Sequence, residues 1–568
     1  MIHDGRAGLN NDKQFINWPA LFISLFICNS VEIFWGNGKT KFAGGISSPK
    51  NWIGANLDGF ATESNRLMRA NTKKIIGIIL CGVVIFATLD FWFQSRQTEN
   101  MKQAAADTRR MLREQGFKTD FADFTVTTDP ATRARMAMLT VFNEPLQLDS
   151  SYDGLDFLPR VSDDTAAVIW KQNSLAIGSG TLQWLGLRAM LGTNREALDA
   201  ACDAAVSGPI RFDMDLSPSG DREDEHVPRL EALFWDLSYR GILELHDGNR
   251  DAAWSNLLAA TRLVTAWEPE PDGLSRLLQS RMADETFADT WQALQFSNWP
   301  DARLAALQQE WESANFFTNL PEIAAFDRAE AVNYCQLLSK QPPFAGDSLS
   351  RLVKEAVRDP SYAYREIKSD IGIMRYHGVE ALTDERNLLL YHQQRELELR
   401  HAIQSPTWAE MRAQPGVTNA VPFKSPSPDM VEYTASNRRM ESLLPALIAR
   451  EEAQRRLLIT AIALERYRGK HGVYPATLAS LAPEFVKTVP VDFMDGKPLR
   501  YRLTDDGHFV LYSVGLDCVD DGGKLPLPDA PSFPRSSTGE FIAPTNVDIV
   551  WPRPDFSPLP TAASGVGD

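Results

Sequence analysis

From Met101 to about Gln404, apolar residues recur every three or four positions with few alternating β-branched runs, a spacing that predicts helices. Arg229 to Leu245 sets Leu230, Leu233, Leu237, Ile242 and Leu245 along one broad stripe. Asp247-Gly248-Asn249 supplies a turn, and Asp251 to Ala266 continues as a second helix. Two helices joined by so short a turn form an antiparallel hairpin. Upstream, Leu185 to Ala201 echoes the pattern, with Asn194-Arg195-Glu196-Ala197 where the later copy has Asn249-Arg250-Asp251-Ala252. The spacing continues through Ser275 to Leu294, Ala302 to Ser313, Pro321 to Leu338 and Asp384 to Ile403. One hairpin cannot bury its own apolar face, so a helical bundle or irregular α-solenoid is expected over residues 95–404.

The pattern then changes. Five prolines between Gln404 and Met430 (Pro406, Pro415, Pro422, Pro426, Pro428) favour an extended connection and predict a linker over residues 405–435. Beyond it, Leu457, Leu458, Ala461, Ile462 and Leu464 form a stripe on a helix running to Arg468, where Gly469 and Gly472 end it. Leu499 to Leu503 and His508 to Tyr512 flank Thr504-Asp505-Asp506-Gly507, a hairpin signal with Asp-Gly at the turn. Residues 436–556 are therefore expected to be a small α+β domain, followed by a disordered tail at 557–568.

Ile75 to Phe93 is 19 residues long with one acid, Asp90, near its far end. A membrane-crossing helix needs roughly 20 apolar residues. Phe91, Trp92 and Phe93 stand where aromatic rings favour the interface, and Arg66, Arg69, Lys73 and Lys74 precede the run. The basic bias places the N-terminus in the cytoplasm and the bulk of the chain outside, as a single pass of the inner membrane. The run is long for a signal peptide, and FWFQSRQ offers no small-residue cleavage site. Residues 68–94 are thus expected to be the anchor. Residues 1–67 show no sustained period, and Met68 opens a signal-anchor layout, so translation is expected to begin there.

Charge sharpens the assignment of partners. The chain of 568 residues carries a formal net charge of −16, yet residues 1–93 hold nine basic and six acidic side chains. The remainder is strongly acidic, which argues against nucleic acid as a partner because phosphate must be neutralised by clustered Lys and Arg. The lipid bilayer, through Ile75 to Phe93, and other envelope proteins are the expected partners. Five cysteines (Cys28, Cys81, Cys202, Cys335, Cys518) are scattered without C-x-x-C spacing. No H-E-x-x-H, G-x-S-x-G or Walker loop occurs. His392 and His401, nine apart, fall on opposite faces of one helix and are expected at the surface. The stretch Ser219 to His226 (SGDREDEH), with Asp213 and Asp215 nearby, reads as a solvated acidic loop.

Two resemblances add to these readings. The polar turn between amphipathic helices weakly resembles a tetratricopeptide hairpin. More specifically, ALERYRGKHGVYP, VPVDFMDGKPLRYR, FVLYSVGLDCVDDGG and VDIVW, in that order, resemble the globular domain of the major pseudopilin of type II secretion systems. The match covers Leu443 to Trp551, with Phe493 and Met494 standing where that family has proline and tryptophan. The cleavage signature of pseudopilins does not precede Ile75. The resemblance implies a helix packed on a small antiparallel sheet, with a loop that binds Ca2+. Asp517, Asp520 or Asp521, and Asp548 stand at its acidic positions, and oxygen-only ligands suit that hard cation. The sequence thus predicts a mainly α protein with a small C-terminal α+β domain and one N-terminal transmembrane helix. Its expected role is a non-enzymatic envelope protein engaged in interaction or assembly; an envelope hydrolase with a dispersed site is the alternative.

Overall fold

The computed structural model describes residues 92–142, 187–214, 226–340, 376–524 and 545–551, a few single positions within them aside. It also describes two dipeptides, Ala167–Val168 and Pro554–Asp555, which pair antiparallel. The leader, nearly all of the anchor segment Ile75 to Phe93, the loop at 215–225 and the tail lie outside the described residues. Among the described residues no helix is long and apolar enough to cross a membrane.

The described chain is mainly helical with one three-stranded sheet. A helix over residues 95–114 (α1) is followed by α2 (Pro130–Leu139), α3 (Arg195–Val206), α4 (His226–His246), α5 (Arg250–Thr265) and α6 (Gly273–Leu294). Then come α7 (Asp301–Ser313), α8 (Leu320–Lys340), α9 (Val379–Ala402), the short α10 (Trp408–Met411) and α11 (Pro428–His471). The expected hairpin is present: α4 and α5 pack together across a turn in which Gly248 takes a left-handed φ of 77°. Helix α3, the upstream echo, packs on α5, and α6 lies against both members of the hairpin. Helices α8 and α9 form a second pair.

The Pro-rich segment departs from the extended linker expected of it. Thr407 caps α10 by accepting from the Glu410 amide, and Trp408 and Ala409 donate their amides to the carbonyls of Phe493 (2.8 Å) and Met494 (3.0 Å). The Trp408 indole donates to the Leu516 carbonyl at 2.9 Å and is buried. Pro428 is the first residue of a 44-residue helix capped by Ser427. The physical reason is that proline's missing amide costs nothing at that position and its fixed φ suits helix entry. Only Pro445 lies inside this helix. At the other end Gly472 takes a φ of 78° and closes onto the Arg468 carbonyl.

Helix α11 is the beam of the molecule. Its sequence alternates buried Leu443, Leu444, Leu447, Ile448, Leu457, Leu458, Ile462 and Leu464 with charged residues, and it packs on α6, α7, α8 and the sheet. The sheet runs in the order β1 (Arg500–Leu503), β2 (Phe509–Ser513), β3 (Ile549–Trp551), antiparallel throughout. Strand β2 is buried along its whole length, which places the expected hairpin against α11. From β3, Trp551 meets Phe287 of α6 edge to face at 5.0 Å. One apolar core consequently runs from Met136 to Trp551 without a break at the expected boundary. Residues 90–568 form one compact unit.

Candidate functional site

A cleft of about 790 Å³ opens in the helical body, within the size range of ligand sites. Three extended pieces run along it. Residues 209–214 pair with the end of α5 through Ile210 N–H to Ala266 O and Glu268 N–H to Ile210 O, both 2.9 Å. Val126 and Met214 exchange amide bonds at 2.9 Å. The third piece, Trp267-Glu268-Pro269-Glu270-Pro271, cannot continue α5 because its prolines lack the amides a helix needs. The chain restarts at α6, whose first turn Asp272 caps by accepting from the Leu274 and Ser275 amides at 2.9 Å.

The charges lining this cleft are mostly paired by the protein. Arg262 grips Glu310 with both carboxylate oxygens at 2.7 Å, Arg211 faces Glu268 at 3.4 Å, and Lys118 pairs with Glu322. Arg276 pairs with Glu451 of α11 in a fully buried ion pair and donates to Gln279 at 2.9 Å. Burial pushes the Glu451 carboxyl above the usual range, against the pull of Arg276. Two of these cations also lie over aromatic faces of the wall, Lys118 at 4.5 Å from Phe124 and Arg276 at 5.4 Å from Phe316.

Two of the buried polar atoms without a hydrogen-bond partner lie on the WEPEP segment, on Trp267 and Glu270. Glu270 is 6% exposed. Its Oε1 meets His226 Nε2 at 2.6 Å, and the imidazole is stacked on Phe212 at 4.4 Å. Its Oε2 has no hydrogen-bond partner, and neither does the Trp267 indole N–H nor the Arg276 Nε–H. The arrangement therefore holds one acceptor and two donors in a wall of aromatic rings. His226 stands in the sequence only as the end of an acidic loop, and the prolines of WEPEP mark an extended segment between two helices. Asp213, singled out with that loop, accepts instead from the amide and hydroxyl of Thr128, both at 2.6 Å, which hold its carboxyl below the usual range.

The acidic residues of the terminal module accept from the protein's own donors. Asp548 accepts from the amides of Gly523 (2.7 Å), Lys524 (3.2 Å) and Asp521 (3.4 Å), and its own amide donates to the Lys524 carbonyl. Asp520 accepts from Gly522 N–H, Tyr512 O–H and Arg500 Nε, while Asp517 accepts from the Val519 amide at 3.1 Å. Asp521 leaves Oδ2 buried without a partner. Gly515, at φ 71°, is required where the returning chain passes: a Cβ there would meet the Val547 carbonyl at 2.6 Å. Among the described residues no three acidic, His or Cys side chains converge to hold a metal. Sequence reasoning missed the residue that organises the module, Asp492, which is fully buried and accepts from Ser513 O–H, Val514 N–H, Met494 N–H and Arg500.

His392 is a second correction. It is buried rather than at the surface, inside a charge cluster formed by α8, α9 and α11, while His401 is exposed. Nine residues are about 900° of helix, so one ring had to face inward once both faces of α9 were not solvated. Around it Arg328 pairs with Glu396, and Arg395 Nε meets Glu441 at 3.2 Å. Burial, reinforced by the two guanidinium groups, pushes the His392 pKa down to about 3 and keeps the ring neutral. Asp327 is pushed well up by burial beside Glu441.

The chain matches no protein-family model, no curated protein and no solved structure.

Proposed function

We propose that this protein is a single-pass, membrane-anchored scaffold of the bacterial envelope whose helical body presents the cleft to a protein partner. Its role is interaction or assembly, with a secretion-type process favoured by the pseudopilin-like module. The observation that carries this reading is the continuous core along α11, which makes the helices and the sheet module a single rigid support for a cleft whose polar groups are not all used internally. Rigid presentation of unsatisfied groups is what a recognition surface requires, because pre-organisation lowers the cost of binding. The anchor is Ile75 to Phe93, with the body extracytoplasmic.

The test uses the full chain in native membranes. In-membrane crosslinking followed by mass spectrometry is expected to give one or a few specific envelope partners, with crosslinks mapping to residues 209–214 and 266–271. Robust turnover of a hydrolase substrate panel, abolished by one carboxylate substitution, would replace the reading with the enzymatic alternative. A reporter fused after residue 150 is expected to be active only when exported, and a cytoplasmic-active fusion would reverse the topology.

A further inference from the structure

We infer that the cleft recognises a cationic side chain, Arg or Lys, carried on an extended peptide. The inference rests on the reading of the cleft as the binding site and specifies what it takes. Its argument is one of charge accounting. Lys118, Arg211, Arg262 and Arg276 each have a carboxylate partner, and three of those partners, Glu322, Glu268 and Glu310, line the cleft with them. The one acceptor left over among these lining side chains is Glu270 Oε2, on a side chain that is itself more than nine-tenths buried; the Trp267 indole N–H and the Arg276 Nε–H are left over as donors. A buried carboxylate oxygen without a donor is destabilising, and a charged donor offsets that loss best.

The walls point the same way. Phe124, Phe212, Phe316 and Trp267 line the same cleft as Glu270, and the protein already places its own Lys118 and Arg276 on two of those rings. An aromatic face beside a carboxylate is the environment that stabilises a guanidinium or ammonium group. An anionic ligand would instead bring its charge into a cleft whose lining already carries Glu268, Glu270, Glu310 and Glu322. The Trp267 indole N–H, also unpartnered, is a donor. It suits the main-chain carbonyl beside a cationic residue, which is why a peptide is favoured over a free polyamine. His226 fixes the Glu270 carboxyl through Oε1 and so leaves Oε2 for the ligand. Glu270 is thus the recognition residue, Trp267 a backbone reader and His226 a positioning residue.

The experiment is isothermal titration of the full chain in detergent with capped tripeptides, Ala-Arg-Ala, Ala-Lys-Ala and the neutral isostere Ala-citrulline-Ala. The chain is acidic overall, so a charge-only attraction must be separated from the site. Glu270→Gln keeps the bond to His226, and Asp505→Asn on the hairpin turn removes one charge elsewhere. The Arg and Lys peptides are expected to bind at least tenfold more tightly than the citrulline peptide. Glu270→Gln should erase that preference, Asp505→Asn should retain it, and Trp267→Phe should weaken all three peptides alike. Equal affinity for Arg and citrulline peptides, or an equal loss in Glu270→Gln and Asp505→Asn, would overturn the inference. Binding by none of the peptides would also overturn it, while crosslinking of a partner elsewhere on the body would leave the scaffold reading standing without it. Circular dichroism of each variant separates loss of recognition from loss of fold.

Discussion

Acidifying the protein should expose the cost of the buried imidazole. His392 lies in α9 with 2% exposure, facing Arg328 of α8, Arg395 and Glu396 of its own helix and Glu441 of α11. Neither ring nitrogen has a hydrogen-bond partner. Its folded pKa of about 3 lies below the ordinary 6.5. The unfolded chain therefore binds the proton first, and this ring's contribution is present above about pH 6.5 and lost as pH falls toward the folded value. Between about pH 7.5 and pH 5 the loss is ~2 kcal/mol from the difference in proton binding. Asp327 has the opposite sign: its carboxyl is raised by burial, so its contribution is present below the ordinary carboxylate value and is lost as pH rises. The parent alone consequently reports a mixture. His392→Phe retains a ring of similar size and removes only the imidazole's titration. Urea unfolding followed by Trp fluorescence, at both pH values, should show the parent losing about 2 kcal/mol more than the variant on acidification. Parallel pH dependence in the two proteins would show that the ring titrates normally, and the assignment of a neutral, buried His392 would fall.

Three further outcomes test the fold. Trp408→Ala should lower stability by about 3 to 5 kcal/mol, because a buried indole and its bond to Leu516 are lost; an unchanged melting curve would mean that residues 405–427 contribute nothing to the core. Arg276→Met should cost about 3 to 5 kcal/mol by stranding Glu451, and adding Glu451→Leu should recover most of it; a double variant no more stable than the single one would refute that pairing. Asp548→Ala should destabilise the terminal module by about 2 to 3 kcal/mol through loss of the acceptor for three amides. For the parent, an upward shift of several degrees in melting with calcium over melting with chelator would place an ion among Asp517, Asp520, Asp521 and Asp548, and coincident curves would leave them to the protein's own donors.

The helical body, the α4–α5 hairpin with its Gly248 turn and the hairpin around Gly507 were all legible from the chain. Each depends on periodicity or turn chemistry within a few residues, and those preferences act locally. The long-range decisions were not legible. Pro428 reads equally well as part of a spacer and as the first residue of a helix, and only the packing of Met430, Leu443, Leu444 and Leu447 on neighbouring helices selects the second. Trp408 looks like a stray aromatic until Leu516, 108 residues later, supplies its acceptor. His392 shares a charged helix with His401, and which ring becomes neutral depends on α8 and α11 arriving over one face. Glu270 carries no motif at all; tertiary structure pairs Glu268, Glu310 and Glu322 with cations and leaves Glu270 Oε2 without a donor. The sequence by itself determined the elements and their caps, because backbone propensity and side-chain period are local. Tertiary structure decided which polar groups are buried and which stay unsatisfied, because desolvation belongs to the assembled neighbourhood and to no single residue.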